Sequence, residues 1–417
     1  MQVHISWLPF WFAMGCVSGK PESLPLPDVP TQQGVVYVSG TPNQLMWYDI
    51  TGDAPSAAGS LDFNEIIDDL AVDSINHRLA VATDTKVTLM SLDTPADGIE
   101  APSALSEISF PDENPEEVLL DPYHDRLYVQ TSGHGIFHGD DHYETFPRIH
   151  IVDISGTPTV LATTEPDGWP QMALDPVRQI LFVVIDGNDL AIYDVGADTL
   201  DEMTGSPFNV RRDYPEDGSH IFQIFSPRVD PWSARFFAER QQGGQSELIA
   251  YRYDEHVPTD GATYSEGASV GSMRNLSTAL DMGTDFRDRQ VPLDSGPNPL
   301  PDPHTGEVMV VTKVEEEWGV VSLNASLQPG GQCTDEDGPF CTLRNWEESE
   351  PLGALGSNGT ACIDAGRRTV SATTSGQFGG GTMQFFRYDA EGDLSAWLGE
   401  SGSPLPTIET PYNAVCH

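Results

Sequence analysis

Basic residues are scarce: 20 Lys and Arg stand against 64 Asp and Glu, for a formal net charge of −44. A protein that grips phosphate needs surface cations, so this balance excludes nucleic acid as a partner. Lysine is almost absent, with only Lys20, Lys86 and Lys313. A carboxylate-rich, lysine-poor surface stays hydrated once salt has screened its self-repulsion. Two origins fit it: a saline habitat, or a GC-rich genome that favours Arg codons in an ordinary acidic exported protein. Either way, the field favours divalent cations over anions as loose companions. Signatures of common chemistry are also missing, with no P-loop, no H-E-x-x-H and no G-x-G-x-x-G. No run has a convincing helical period, which argues against a helical or α/β protein. An apolar content of 38% with 9% aromatics is still ample for a core, so the chain folds.

Long apolar runs are missing too. The run ISWLPFWFAM, from Ile5 to Met14, falls short of the roughly 18 apolar residues that a transmembrane helix requires. It reads as the core of a signal peptide over residues 1–15. Ala13-Met14-Gly15-Cys16 follows at once and resembles the lipobox of bacterial lipoproteins, which implies lipidation at Cys16 and a membrane partner through that anchor. The bland alternative is a cysteine inside an ordinary cleaved signal. Residues 16–33 are rich in Pro and polar side chains with no apolar period, as in a tether between membrane and domain. Val17 stands where the enterobacterial pattern places its inner-membrane retention aspartate, so the resemblance implies the outer membrane, periplasmic or surface-exposed.

The remaining cysteines, Cys333, Cys341, Cys362 and Cys416, are even in number and contain no C-x-x-C pair. That spacing gives no zinc or redox motif, and an exported chain is free to form disulfides. Four cysteines allow three pairings. Cys333 with Cys341 would staple the acidic loop between them, and Cys362 with Cys416 follows from the ring closure described next.

An aspartate ends a short apolar run and precedes a turn six times, at Asp73, Asp121, Asp175, Asp230, Asp302 and Asp364. Proline follows it at Pro122, Pro176, Pro231 and Pro303, and Asp-Pro initiates a turn because proline pushes its predecessor out of the α region. A second apolar run begins six residues after each aspartate, at Leu79, Leu127, Leu181, Phe236, Val308 and Val370. A third run often closes on another aspartate, as in IHIVDI and LAIYDV. Spacings from 48 to 72 residues between the aspartates, with short strands and turn signals throughout, predict an all-β β-propeller of four-stranded blades. One such sheet has two apolar faces and buries neither alone, whereas radial stacking buries both. Residues 34–50 match the second and third strands of a blade, and Tyr412 to His417 supply its missing first strand. One blade made from both chain ends removes exposed edges, gives a seven-bladed propeller over residues 34–417, and sets Cys416 beside Cys362.

Three segments, YVQTSGHG (128–135), YVSGTPNQLMWYDI (37–50) and DPVRQILFVVIDGNDLAIYDV (175–195), resemble the YVTN-type repeats of bacterial surface and periplasmic propellers. The resemblance implies the fold. It leaves function open, because this scaffold hosts lactonases, cofactor-dependent dehydrogenases and many binding proteins.

Candidate chemistry is sparse, and no catalytic residue is assigned. His134, His138 and His142 recur every four residues with Asp140 and Asp141 between them, in a long loop between second and third strands. Imidazole and carboxylate together suit a divalent metal, but the glycines around them and a spacing that matches no standard metal motif favour a solvated insertion. Ser269 matches G-x-S-x-G but sits in a polar insertion without a following helix, so it reads as chance. Acidic loops at Asp335, Glu336 and Asp337, and at Asp186, Asn188 and Asp189, offer carboxylates that could hold calcium, but they lack the EF-hand pattern and read more simply as solvated faces. Trp47, Tyr128, Phe182, Phe236, Tyr251 and Phe385 read as packing between blades. The expectation is a monomeric, non-catalytic envelope lipoprotein presenting loops to a protein, glycan or small ligand. The alternative is a lactonase-like or metal-dependent hydrolase with its site at the channel mouth.

Overall fold

The computed structural model describes residues 27–417 apart from 42, 93–98, 100, 139–141, 188, 204–205, 210–221, 233, 243–244, 253–277, 281–297, 305–306, 315–316, 325–341, 344–349, 354–359, 375–380, 390–393, 398–404 and 408–409. Cys16, Asp140, Asp141, Asn188, Ser269, Cys333, Cys341 and the acidic loop 335–337 therefore lie outside the described residues. The described residues contain no helix long and apolar enough to cross a membrane. They form strands and turns that group into seven antiparallel sheets. The innermost strands are Ile67–Asp73, Pro115–Asp121, Pro170–Asp175, Phe222–Asp230, Asn298–Pro301, Ala361–Asp364 and Thr410–Cys416. Each packs beside the next, and the last packs against the first, so the sheets stand as blades around one axis. This is a β-propeller.

The repeated aspartate is the local cause of each blade. Asp73, Asp121, Asp175, Asp230 and Asp364 pair with the residue five positions on, so four residues make the turn. The last of those four takes a left-handed backbone in every case: His77, Asp125, Gln179, Ala234 and Arg368 have φ between 50° and 56°. One carboxylate oxygen satisfies the turn from inside. Asp73 accepts from the Ile75 and Asn76 amides at 3.0 and 2.9 Å, and Asp175 accepts from Val177 and Arg178, both at 2.9 Å. The other oxygen takes a side chain from the turn or the next strand, such as Arg78 at 2.7 Å or Arg178 at 2.9 Å. All six aspartates are 2% exposed or less, and such burial is tolerable because each carboxylate is hydrogen-bonded.

Each hydrophobic cluster among the described residues draws on two adjacent sheets, so the core lies between blades. The strand Ile180–Ile185 is buried along its whole length. Ile180, Phe182 and Val184 pack towards the sheet carrying Asp230, and Leu181, Val183 and Ile185 towards the sheet carrying Asp121. A strand apolar on both faces is stable only when both are covered, at about 2 kcal/mol per large side chain. Trp47, Tyr128, Phe182, Phe236 and Phe385 all lie in these seams at 3% exposure or less.

The ends meet as the repeat predicts. Thr410–Cys416 pairs antiparallel with Val35–Thr41, and Val36 lies opposite Cys416. Cys362 and Cys416 are joined by a disulfide across adjacent innermost strands, with Cα atoms 5.6 Å apart. His417 ends the innermost strand where an aspartate ends the others. Its amide donates to the Val35 carbonyl at 2.7 Å, and its carbonyl accepts from Gly34 at 2.6 Å.

The expected histidine loop is corrected in form. Strands Arg126–His138 and His142–Asp153 run on as a paired hairpin, with His142 opposite His138 and Phe146 opposite His134. Only 139–141 fall between them. Paired backbone satisfies its own N–H and C=O groups, as a glycine-rich loop would not.

Candidate functional site

A cavity of about 710 Å³ follows the propeller axis and is lined by all seven innermost strands. Its chemistry differs from end to end. The aspartate turns end these strands at one face, while the strand starts form the opposite mouth. Four residues before each closing aspartate the sequence reads Asp69, Glu117, Gln171, Ser226, Asn298 and Thr360, and Asn413 stands four before His417. A polar residue at this one level recurs around the ring and stitches neighbouring blades together. Asp69 accepts from the Val118 amide of the next blade at 2.8 Å, Glu117 from Met172 at 2.8 Å, and Gln171 from Ser226 at 3.0 Å. The Asn413 side-chain amide donates to the Asp68 carbonyl at 2.6 Å.

The stitch leaves carboxylates crowded at the mouth. Burial pushes Glu117 up to about 8, and repulsion from Asp69 adds to it, while the Met172 amide and Arg228 hold it down. Burial likewise pushes Asp69 up to about 7, eased by the Val118 and Leu70 amides and by Arg228. Asp68 reaches about 6 through burial and the charges of Asp84 and Glu116, and burial also raises Glu116. A carboxyl group near neutrality both donates and accepts hydrogen bonds and exchanges protons readily at physiological pH. Arg228 faces them from the strand Phe222–Asp230 and donates to the Pro227 carbonyl at 2.9 Å.

Trp169 stands on the rim of the same cavity, 42% exposed. Its backbone is pinned, because its amide donates to the Asp186 carboxylate at 2.7 Å and the Asp186 amide donates back to its carbonyl at 2.9 Å. Gly168 before it has φ +134°, and a Cβ there would meet the Asp186 carboxylate at 2.3 Å, so glycine is required. Asp186 thus presents an indole, and the described residues contain no cluster of three or more His, Cys, Asp or Glu able to hold a metal. For His134, His138 and His142 the backbone pairing is described and the side chains are not.

Residues 27–33, expected as the end of a tether, lie against the turn face. Trp232 donates its indole N–H to the Pro27 carbonyl at 2.8 Å. The Gln32 amide donates to the Ile363 and Cys416 carbonyls at 2.9 and 3.2 Å, and Arg367 donates to the Gln32 carbonyl at 2.6 Å.

A second polar cluster is set between the sheets carrying Asp73 and Asp121. His150 places Nε2 2.9 Å from the Glu113 carboxylate and Nδ1 2.9 Å from the Thr163 hydroxyl. Glu113 also accepts from Thr131 at 2.8 Å and pairs with Arg148, which bridges to Glu165 at 2.8 Å. Burial pushes Glu113 up, but the bonds from Thr131, His150 and Arg148 prevail and hold it low. Burial is the chief reason that His150 is lowered, against the opposing pull of Glu113.

No protein-family model and no curated protein matches the sequence. Solved structures match along almost the whole chain. A protein from Bacteroides fragilis provisionally assigned as a 6-phosphogluconolactonase is 12% identical with a TM-score of 0.58, covering 94% of this chain and 99% of its own. The periplasmic gluconolactonase of Pseudomonas aeruginosa is 12% identical with a TM-score of 0.56, covering 91% and 98%. A protein from Lactobacillus plantarum is 14% identical with a TM-score of 0.55, covering 92% and 98%. The likeness is one of fold. At such identities, chemistry has to be argued from this chain's own residues.

Sequence inspection did not single out Asp68, Asp69, Glu116, Glu117, Trp169 or Arg228. For Asp69 and Glu117 a signal was present as a column, since aligning the six repeats on the aspartate puts a polar residue four places before it each time; Asp68, Glu116, Trp169 and Arg228 fall outside that column.

Proposed function

We propose that this chain is a YVTN-type envelope lipoprotein that binds a small polar ligand at the strand-start mouth of its channel. The observation that carries this reading is the mouth itself, where Trp169, the four acidic side chains and Arg228 border one cavity of about 710 Å³. A stacking surface beside groups that donate and accept suits recognition, and the cavity has the volume of a small-molecule site. Lipidation at Cys16 and residence in the outer membrane belong to the same proposal. The turn-face path of residues 27–33 supports it, because a chain leaving there lets the mouth point away from an anchored end.

The test is calorimetric titration of the full chain with a panel of glycans, peptides and amines, repeated on Trp169→Ala. Binding weakened at least about tenfold by that change supports the mouth as the site. Binding left unchanged by Trp169→Ala and by Glu117→Gln would refute it. Palmitate labelling that vanishes in Cys16→Ala tests the anchor.

A second reading, a lactonase-like hydrolase, is favoured by one observation. Glu117 and Asp69 lie close to neutrality beside Arg228, the tuning that a general acid or base requires. Lactone hydrolysis lost in Glu117→Gln would support it, and ligand binding without turnover would favour the first. In its metal-dependent form the ion would be held by His134, His138 and His142 with Asp140 and Asp141, and elemental analysis before and after changing the histidines to Ala tests that form.

A further inference from the structure

We propose that Thr163 is a base-activated nucleophile that takes an acyl group from small activated esters, with His150 as its base and Glu113 orienting the imidazole. The three side chains come from three separate segments. Glu113 lies in the turn before the innermost strand Pro115–Asp121, His150 on His142–Asp153, and Thr163 on the outermost strand Thr159–Thr164. The order of burial suits the task. Glu113 and His150 are 8% and 6% exposed, while Thr163 faces solvent.

The tautomer follows from the partners. Ionised Glu113 only accepts, so the ring nitrogen beside it, Nε2, must carry the proton. Nδ1 is then the bare nitrogen, and the Thr163 hydroxyl 2.9 Å away must be the donor. The hydroxyl proton is thereby committed to the imidazole, and the oxygen lone pairs are left outward. Burial keeps His150 neutral, in its base form, at physiological pH. Glu113 is itself fixed by Thr131 and Arg148, so the ring has little freedom to turn away. An inert buried histidine needs partners for both nitrogens, but it does not need one of them to be an exposed hydroxyl on an edge strand.

In the step proposed, Thr163 Oγ forms a bond to the ester carbonyl carbon while its proton passes to His150 Nδ1. The carbon–oxygen bond to the leaving group then breaks, and the departing phenolate carries away the electron pair. The acyl ester remains on Thr163, and the proton returns to the phenolate or to solvent. Val160 and Leu161, on the same strand, are 43% and 40% exposed, so the acyl group favoured is short and apolar.

The probe is p-nitrophenyl butyrate with the full chain. The expected result is release of one nitrophenolate per chain in a first phase, with a butyryl group located by mass spectrometry on the peptide carrying Thr163. Thr163→Val, a near-isosteric change at an exposed position, abolishes that phase, and Thr163→Ser retains it. His150→Gln slows it at least about tenfold, the low end of what a positioned base supplies. Circular dichroism melting confirms that each variant is folded. The proposal is overturned if no adduct forms, if the adduct lies elsewhere, or if folded His150→Gln reacts as fast as the parent.

Discussion

Replacing both Cys362 and Cys416 by Ala tests what holds the ring shut. The two residues are 54 apart in sequence and belong to adjacent innermost strands, so the bond ties the last strand to its neighbour across the closing seam. Chain entropy for a loop of that length corresponds to about 4 kcal/mol at 25 °C. Alanine is chosen because both positions lie in a hydrophobic cluster with Val36, Val38, Met383 and Phe385, where a hydroxyl would add its own penalty. Urea unfolding followed by tryptophan fluorescence is run on oxidised parent, reduced parent and double variant. The double variant should lose about 4 kcal/mol, and the reduced parent at least as much, because reduction also opens the expected Cys333–Cys341 bridge. A loss under about 1 kcal/mol would show that backbone pairing of Val35–Thr41 with Thr410–Cys416 closes the ring without help, and the entropic account would fail.

Asp175→Ala removes the acceptor of two turn amides and one partner of Arg178, which keeps its bond to the Pro231 carbonyl, and should cost about 3 kcal/mol in thermal or urea unfolding. Asp175→Asn keeps an accepting oxygen and should cost about 1 kcal/mol. His417 is held down at about 4, first by burial and then by His77. Its folded value lies below its unfolded one, so stability is whole above about pH 6.5 and falls by up to about 3 kcal/mol as pH drops to about 4. His417→Gln should flatten that limb. Asp69 and Glu117 have the opposite sign, because their folded values are raised to about 7 and about 8. Their contribution is present in acid and lost as pH rises to about 8, and Asp69→Asn with Glu117→Gln should remove the decline. Trp232→Phe deletes one bond to residues 27–33 and should speed hydrogen exchange there while leaving the innermost strands protected.

The blades were legible in the sequence because each is built by local rules repeated in register. An aspartate that caps its own four-residue turn is confined to a short window, and so is an apolar run buried on both faces. The closing strand was legible too, since a blade lacking its first strand at one end and a lone strand at the other have one economical solution, and the Cys362–Cys416 bond follows from it. The histidine segment was misread in form, because three glycines and clustered polar residues mimic a loop even when the backbone pairs across it.

Sites were another matter. Glu113, His150 and Thr163 carry no motif, and only the pairing of three segments brings them within 2.9 Å. Asp69 and Glu117 look like ordinary surface acids until the ring sets them at one mouth, where desolvation, with repulsion of Glu117 by Asp69 and of Asp69 by Asp68, alters their chemistry. Local sequence determined the strands, the turns and their succession, because those depend on neighbours a few residues away. Tertiary structure alone decided which side chains face each other across blades, because that depends on how the ring closes.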